Sequence, residues 1–244
     1  MSSDFLNAHD NRARAASYAA LEFPRTYDLA YRDLPSIIGA HAHGRTAVDF
    51  GCGAGRSTRF LCTLGFDAVG VDIAEPMISL ARERDPNGEY LLVPDGDLSV
   101  LRPGTFDLVF SVFTFNNVPT IEKKVALFTS LKELLTPGGR IVSLVSTPDI
   151  YRNEWASFST KDFPGNRTAR SGKKVFTVML DVDDRRPVTD VLCTDGDCYE
   201  VYGRAGLVPL LTYRPLASAA EPFSWVSETI IAPWAIYVLG ALRY

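Results

Sequence analysis

The sequence is poor in the features that would place it in several large classes at once. It has four cysteines in 244 residues, Cys52, Cys62, Cys193 and Cys198, with no CxxC pair among them. A chain of this length buries enough surface to need no disulfide framework, so reduced thiols in a cytoplasmic protein are expected. It has three histidines, His9, His41 and His43, all ahead of the first expected strand and without a cysteine or acid cluster beside them. No metal site is expected, and metal-dependent catalysis is disfavoured. The most apolar segment, Thr229 to Leu242, is broken by Pro233 and is too short to span a bilayer, so a buried strand is expected there. The opening MSSDFLNAHDNRARAASYAA has no apolar core of the kind a secretory signal carries. Basic residues are not in excess: 25 Lys and Arg against 29 Asp and Glu give a net charge of -4, and no nucleic-acid footprint is expected. There is no internal repeat and no low-complexity tract. What is present, 46% hydrophobic and 22% charged residues, suits one α/β domain with a modest cap.

The organising stretch is TAVDFGCGAGRSTRFLCTLGFDAVGVD, Thr46 to Asp72. An apolar run ends in Asp49, a turn carries Gly51, Gly53 and Gly55, a helical segment follows, and a second apolar run ends in Asp72. The pattern predicts a βαβ unit of a nucleotide-binding sheet, with both acids at strand C-termini and the glycines letting a ligand approach a helix N-terminus. Further strands are expected at 90–93, 106–113 and 140–145, alternating with helices at 75–84 and 122–135. Ahead of them, helices are expected over 9–22 and 26–42. After Ser146 the period is lost until two β-rich runs, 175–180 and 188–192, which read as a hairpin. A helix at 195–205 and strands at 207–213 and 230–239 complete the pattern. The expected fold is a doubly wound, mostly parallel sheet. The expected organisation is one domain: N-terminal helices or lid over 1–44, a cofactor-binding half over 45–147, a cap insertion over 148–194 and completion of the sheet over 195–244.

Three enzyme classes place glycines after a first strand. The phosphate-binding GxxxxGK[ST] is absent. A dinucleotide site would want its third glycine where Arg56 stands. Asp72 suits a ribose-binding acid in either remaining class and does not separate them. Asp49 does, because a carboxylate two residues before the first glycine repels a pyrophosphate and favours a ligand with an ammonium group and no phosphate.

At these residues the chain resembles the class I S-adenosylmethionine-dependent methyltransferases. VDFGCGAG is similar to that family's first motif, and VGVD places Asp72 where the family binds both ribose hydroxyls. VPDGDLSVL resembles the segment whose Asp bonds the adenine amino group, which points to Asp97, with Leu98 beside the ring and Asp95 as the competing choice. FDLVFSVFTF resembles the fourth motif and LLTPGGRIVSL the turn into strand five, so the resemblance covers about residues 46–146. It implies a seven-stranded sheet with an antiparallel last strand, an insertion between strands five and six, and S-adenosyl-L-methionine as cofactor. The expected cofactor-binding residues are Asp49, Gly51, Cys52 (through its backbone), Gly53, Gly55, Asp72, Ile73, Met77, Asp97, Leu98, Ser111 and Phe113.

Methyl transfer from a sulfonium needs chiefly alignment and exclusion of water, so no catalytic residue is assigned from the sequence. Candidate substrate residues are Tyr18, Arg25, Tyr27 and Tyr31 before strand one, where related enzymes often carry a lid, and Trp155 and Trp225 further on. Each of these aromatics could equally pack a hydrophobic cap. The Pro-Pro-aromatic grip of nucleic-acid amino-methyltransferases is missing from Ser111 to Asn117, which together with the acidic balance points to a small-molecule acceptor at O, N or C. The competing readings are a regulatory protein that binds the cofactor without catalysis and, with less support, a dinucleotide-dependent oxidoreductase.

Overall fold

The computed structural model describes residues 11–242, so His9 and the first residues of the helix expected from position 9 lie outside it. Helix α1 (Arg12–Ala19) starts at Asn11, whose side chain accepts from the Ala13 amide at 2.9 Å. The segment expected to hold one or two helices holds two, α2 (Thr26–Tyr31) and α3 (Leu34–His41). The βαβ unit appears as β1 (Thr46–Phe50), α4 (Arg56–Thr63) and β2 (Asp67–Asp72), followed by α5 (Glu75–Arg84), β3 (Glu89–Leu92), β4 (Phe106–Val112), α6 (Ile121–Glu133) and β5 (Leu135–Ser146). Strand β5 is longer than expected: Leu135 pairs with Phe106, and a register shift absorbs the Pro-Gly-Gly turn within the strand.

Beyond β5, three short strands form a second sheet: β6 (Phe158–Ser159), β7 (Lys174–Met179) and β8 (Val188–Val191). The expected hairpin is the antiparallel β7–β8 pair. Helix α7 (Asp195–Arg204) begins with a capping box between Thr194 and Asp197, and β9 (Leu207–Tyr213) and β10 (Trp234–Ala241) finish the main sheet. The last strand starts later than the apolar run does, because Pro233 has no amide hydrogen for the ladder and pairing begins with Trp234 opposite Ser146.

The main sheet has seven strands in the order β3-β2-β1-β4-β5-β10-β9, all parallel except β10, which runs antiparallel to both neighbours. Alternation along each strand sorts side chains into two layers. Ala47, Leu108, Phe110, Val142, Leu144 and Ile236 pack with α2, α3 and the insertion. Val48, Val109, Ile141, Ala235 and Tyr237 pack with α6 and α7. One buried carboxylate joins distant parts of the first layer. Glu228 accepts from Thr26 Oγ1 at 2.6 Å, from the Ala156 amide at 2.8 Å, and from the amides of Val226 and Ser227 at 2.8 and 3.0 Å. It ties α2 and the insertion to the segment leading into β10. Among the described residues, no helix is long and apolar enough to cross a membrane.

Candidate functional site

The turn after β1 is anchored from below. The amides of Gly51 and Cys52 both donate to the Val71 carbonyl, at 2.8 and 3.0 Å. Gly51 has φ +78°, and a Cβ there would lie 2.1 Å from Thr114 Oγ1, so only glycine fits. Gly55 has φ +80° with Tyr90 below it, and its contribution is to start α4. Gly53 differs: at φ +53° an added Cβ would meet nothing nearer than Met77 Sδ at 4.0 Å, leaving open space above the turn for a ligand.

Asp72 closes β2 beside that space. Its Oδ2 accepts from the Gly53 amide and its Oδ1 from the Ala74 amide, each at 2.8 Å. Burial raises its pKa and these amides oppose the rise. Each oxygen retains acceptor capacity for a further donor. Ile73, Met77, Val93 and Gly96 continue the same wall as an apolar slot. Gly51, Gly53, Asp72, Ile73, Met77 and Phe113, expected on the cofactor side, and Tyr18 and Tyr27, expected on the substrate side, thus line one cleft. Cys52 and Tyr31 line a smaller side cavity with Tyr18, Gly51 and Gly53. This end of the cleft sets an apolar slot beside a carboxylate that can still accept from further donors.

Several expected site residues stand elsewhere. Asp49 is not at the mouth: it is fully buried beneath the turn, where Oδ2 accepts from the Ser57 and Thr58 hydroxyls of α4 at 2.6 and 2.7 Å. Its Oδ1 is buried without a partner, and burial, opposed by those two hydroxyls, pushes its pKa up to about 6. Asp97 is exposed in an Asx turn onto the Ser99 amide at 2.9 Å, a contact that holds its carboxyl below the usual range. Asp95 is exposed as well, and Gly96 between them is the residue that reaches the cleft. Leu98 packs in the layer against α6 and α7, and Ser111 is buried within β4. Gly55 lines neither cavity. Arg25, at φ +47°, is bound to the Ala156 carbonyl and to Asp181. Trp155 is buried with Nε1 on the Ile150 carbonyl, and Trp225 donates to the Ser218 carbonyl, so both serve packing. Arg56, where a dinucleotide site would have glycine, donates to the carbonyls of Leu21 and Glu22 and lies over the rings of Tyr18, Phe23, Tyr27 and Tyr31. It pins the N-terminal segment to the glycine turn.

At the far end of the cleft Tyr27 and Phe113 were expected site residues, whereas Asp190 and Trp234 were not anticipated. Phe113 leaves β4 at φ +62°, an unusual backbone for a bulky residue, and turns its ring into the cleft. Its centroid is 4.7 Å from that of Trp234 and 5.8 Å from that of Tyr27, and Phe158 lies 5.1 Å from Tyr27. Trp234 is oriented by its Nε1 bond to the Thr26 carbonyl at 2.8 Å. Set into this aromatic wall is Asp190 of β8, accepting from the Tyr151 hydroxyl at 2.9 Å, with burial pushing its pKa up to about 6. Nothing in the local sequence marks Asp190, which sits in a hairpin like any strand acid; its burial comes from packing. Among the described residues, no group of three or more His, Cys, Asp or Glu is placed to hold a metal ion.

Comparison with known proteins bears on the first end of the cleft. A family model described as a methyltransferase domain matches residues 48–143. The ubiquinone biosynthesis O-methyltransferase of Methylococcus capsulatus is 35% identical over 111 residues, 43% of this chain and 46% of that protein. The 18S rRNA (guanine-N(7))-methyltransferase of Bos taurus is 33% identical over 103 residues, 39% of this chain and 37% of that protein. The chain thus spans less than half the length of these two relatives. A crystal structure of an S-adenosylmethionine-dependent methyltransferase from Mesorhizobium loti superposes with a TM-score of 0.60 at 20% identity, covering 86% of this chain and 97% of that one. At that identity the likeness is one of fold.

Proposed function

We propose that this chain, whose residues 48–143 match a methyltransferase-domain family model, transfers a methyl group from S-adenosylmethionine to a small organic acceptor bound at the aromatic end of its cleft. One observation carries the reading: Gly51, Gly53 and Asp72 at one end, and Tyr27, Phe158, Asp190 and Trp234 at the other, line a single continuous cavity. The cofactor, when bound, supplies a methyl group already activated on a sulfonium, with a neutral leaving group.

The residues divide the remaining work. Asp72, with both oxygens oriented by backbone amides, accepts from the ribose hydroxyls. Ile73, Met77, Val93 and Gly96 hold the adenine by apolar contact. The charge of Asp49 beneath the turn favours an ammonium above it. Phe113 and Trp234 exclude water where the two ends meet, so the acceptor arrives aligned in a low-dielectric setting. A small acceptor is favoured over a nucleic acid by the walls contributed by α2 and the second sheet, and by the acidic balance of the chain. The relatives named for ubiquinone biosynthesis and for 18S rRNA match less than half of this chain and do not choose between acceptors.

Isothermal calorimetry with S-adenosylhomocysteine and with NAD tests the cofactor reading. Saturable heat with the first and none with the second is expected; the reverse would sink it. Transfer of a labelled methyl group from S-adenosylmethionine to a metabolite panel tests the reaction, and tight cofactor binding without any product would make the protein a cofactor-binding regulator.

A further inference from the structure

We propose that Asp190 is the catalytic residue on the acceptor side, taking the proton from a hydroxyl or amine carried by a compact, mostly apolar acceptor held among Tyr27, Phe113, Phe158 and Trp234. This rests on the methyltransferase reading above and deepens it.

Asp190 reaches the cleft because β8 packs against residues 114–117, the segment that leaves the C-terminal end of β4. That is where an open α/β sheet presents its ligands. One neutral donor orients the carboxylate: the Tyr151 hydroxyl, 2.9 Å from Oδ2. It does not cancel the charge. Lys124 of α6 acts on it only through space, since its ammonium donates to the Phe115 carbonyl at 2.7 Å. The other polar groups nearby are engaged with each other: Asn116 Nδ2 donates to Ser146 Oγ at 2.7 Å, and the Ser146 amide donates back to Asn116 Oδ1.

The titratable neighbours leave one candidate base. Tyr27 of α2 and Tyr151 of the turn after β5 are held well above the ordinary phenol value, chiefly by burial, and keep their protons. Cys193, just past β8, has its thiol held below the ordinary value by Cys198, 3.7 Å away, but it lines a separate cavity and not the cleft. Asp190, pushed up to about 6 by burial against the opposing effects of Tyr151 and Lys124, is ionised at neutral pH and basic enough to accept a proton there. A carboxylate among aromatic rings also suits the polar end of an apolar molecule.

The step balances. Asp190 takes the proton from the acceptor O–H or N–H while the acceptor heteroatom forms a bond to the methyl carbon. The carbon–sulfur bond breaks with its electron pair left on sulfur. The products are the methylated acceptor, a neutral thioether and the Asp190 carboxylic acid, which returns its proton to solvent. For an amine that enters as ammonium, the same carboxylate first removes the proton that blocks the lone pair.

The test uses the full chain, Asp190→Asn and Tyr151→Phe. Monocyclic phenols, benzylic alcohols, and primary and secondary benzylic amines serve as probes, with N,N-dimethylbenzylamine and thioanisole as proton-free controls. In protein labelled with 13C at the aspartate carboxyls and saturated with S-adenosylhomocysteine, a resonance missing from Asp190→Asn should titrate near pH 6 and shift when a protic probe binds. That readout needs no turnover. Asp190→Asn should keep its affinity for S-adenosylhomocysteine, lower kcat by roughly 100-fold or more, and lose the fall in kcat/KM below pH 6. Tyr151→Phe, which removes a donor to the carboxylate, should move that fall to higher pH. Hydroxyl and amine probes are separate arms, and product from either supports the proposal. It is overturned if Asp190→Asn retains kcat within about threefold of wild type with the same pH profile, a smaller loss than removal of a general base produces. It is equally overturned if no probe shifts the resonance, if only the proton-free compounds are methylated, or if no panel member is methylated while S-adenosylhomocysteine binds. Absence of S-adenosylhomocysteine binding would instead remove the methyltransferase reading itself.

Discussion

At its glycine end the cleft is shaped by backbone: Gly51 and Gly53 at positive φ, two amides on the Val71 carbonyl, two more on Asp72, all within one βαβ unit. At its aromatic end it is shaped by side chains from α2, the end of β4, the second sheet and β10, brought together by burial and by the shared carboxylate of Glu228. The first end tolerates few changes because its atoms are placed by torsion angles. The second can be rebuilt by changing side chains without disturbing the ladder. A cofactor common to many reactions suits the first construction and an acceptor particular to one reaction suits the second.

This contrast can be broken by mutation. Glu228→Ala should cost the most stability, about 4 kcal/mol, because it leaves the buried donors of Thr26, Ala156, Val226 and Ser227 without an acceptor. A urea titration should record the loss, while affinity for S-adenosylhomocysteine changes little below the melting temperature. An equal loss of affinity would show that the two ends are not separable. Gly51→Ala should cost about 3 kcal/mol, through its positive φ and the collision with Thr114, and should abolish cofactor binding together with the fold of the turn. Asp72→Ala should weaken binding of S-adenosylhomocysteine about 100-fold by calorimetry, the loss of charge-assisted contacts to two hydroxyls; unchanged affinity would remove Asp72 from the site.

The smallest effect concerns Asp49. Its folded carboxyl titrates at about 6, above the ordinary 3.8, so the native state holds that proton more tightly than the unfolded chain does. The stability it contributes is therefore full in acid and is lost as pH rises through 6. Between pH 5 and 8 the wild type should lose about 1 kcal/mol from this group, and Asp49→Asn should not. Urea midpoints at the two pH values decide it. If the buried charge favours the cofactor's ammonium, the same variant should bind S-adenosylhomocysteine about tenfold more weakly.

The alternation of strand and helix, the glycine turn and Asp72 at the end of β2 were legible by spacing, whereas the antiparallel last strand followed only from the family resemblance and the strand order only from the fold. Spacing sets torsion angles and periodicity, and these are local properties. Two acids near the same turn were misplaced for a related reason. Asp97 sits in a loop where a shift of one residue decides whether backbone or carboxylate faces inward, and Gly96 faces the cleft. Asp49 lies on a strand whose side chain turns under the glycines toward two hydroxyls of α4. Trp155 and Trp225 looked like ligands because aromatics in an irregular segment carry no period, whereas Trp234 looked like core and lines the site. The sequence by itself determined the glycine end of the cleft, because one short βαβ unit encodes its backbone path. Only the tertiary structure decided the aromatic end, because Tyr27 and Phe113, singled out one by one in the sequence, meet Tyr151, Phe158, Asp190 and Trp234 only when the second sheet packs over the end of β4.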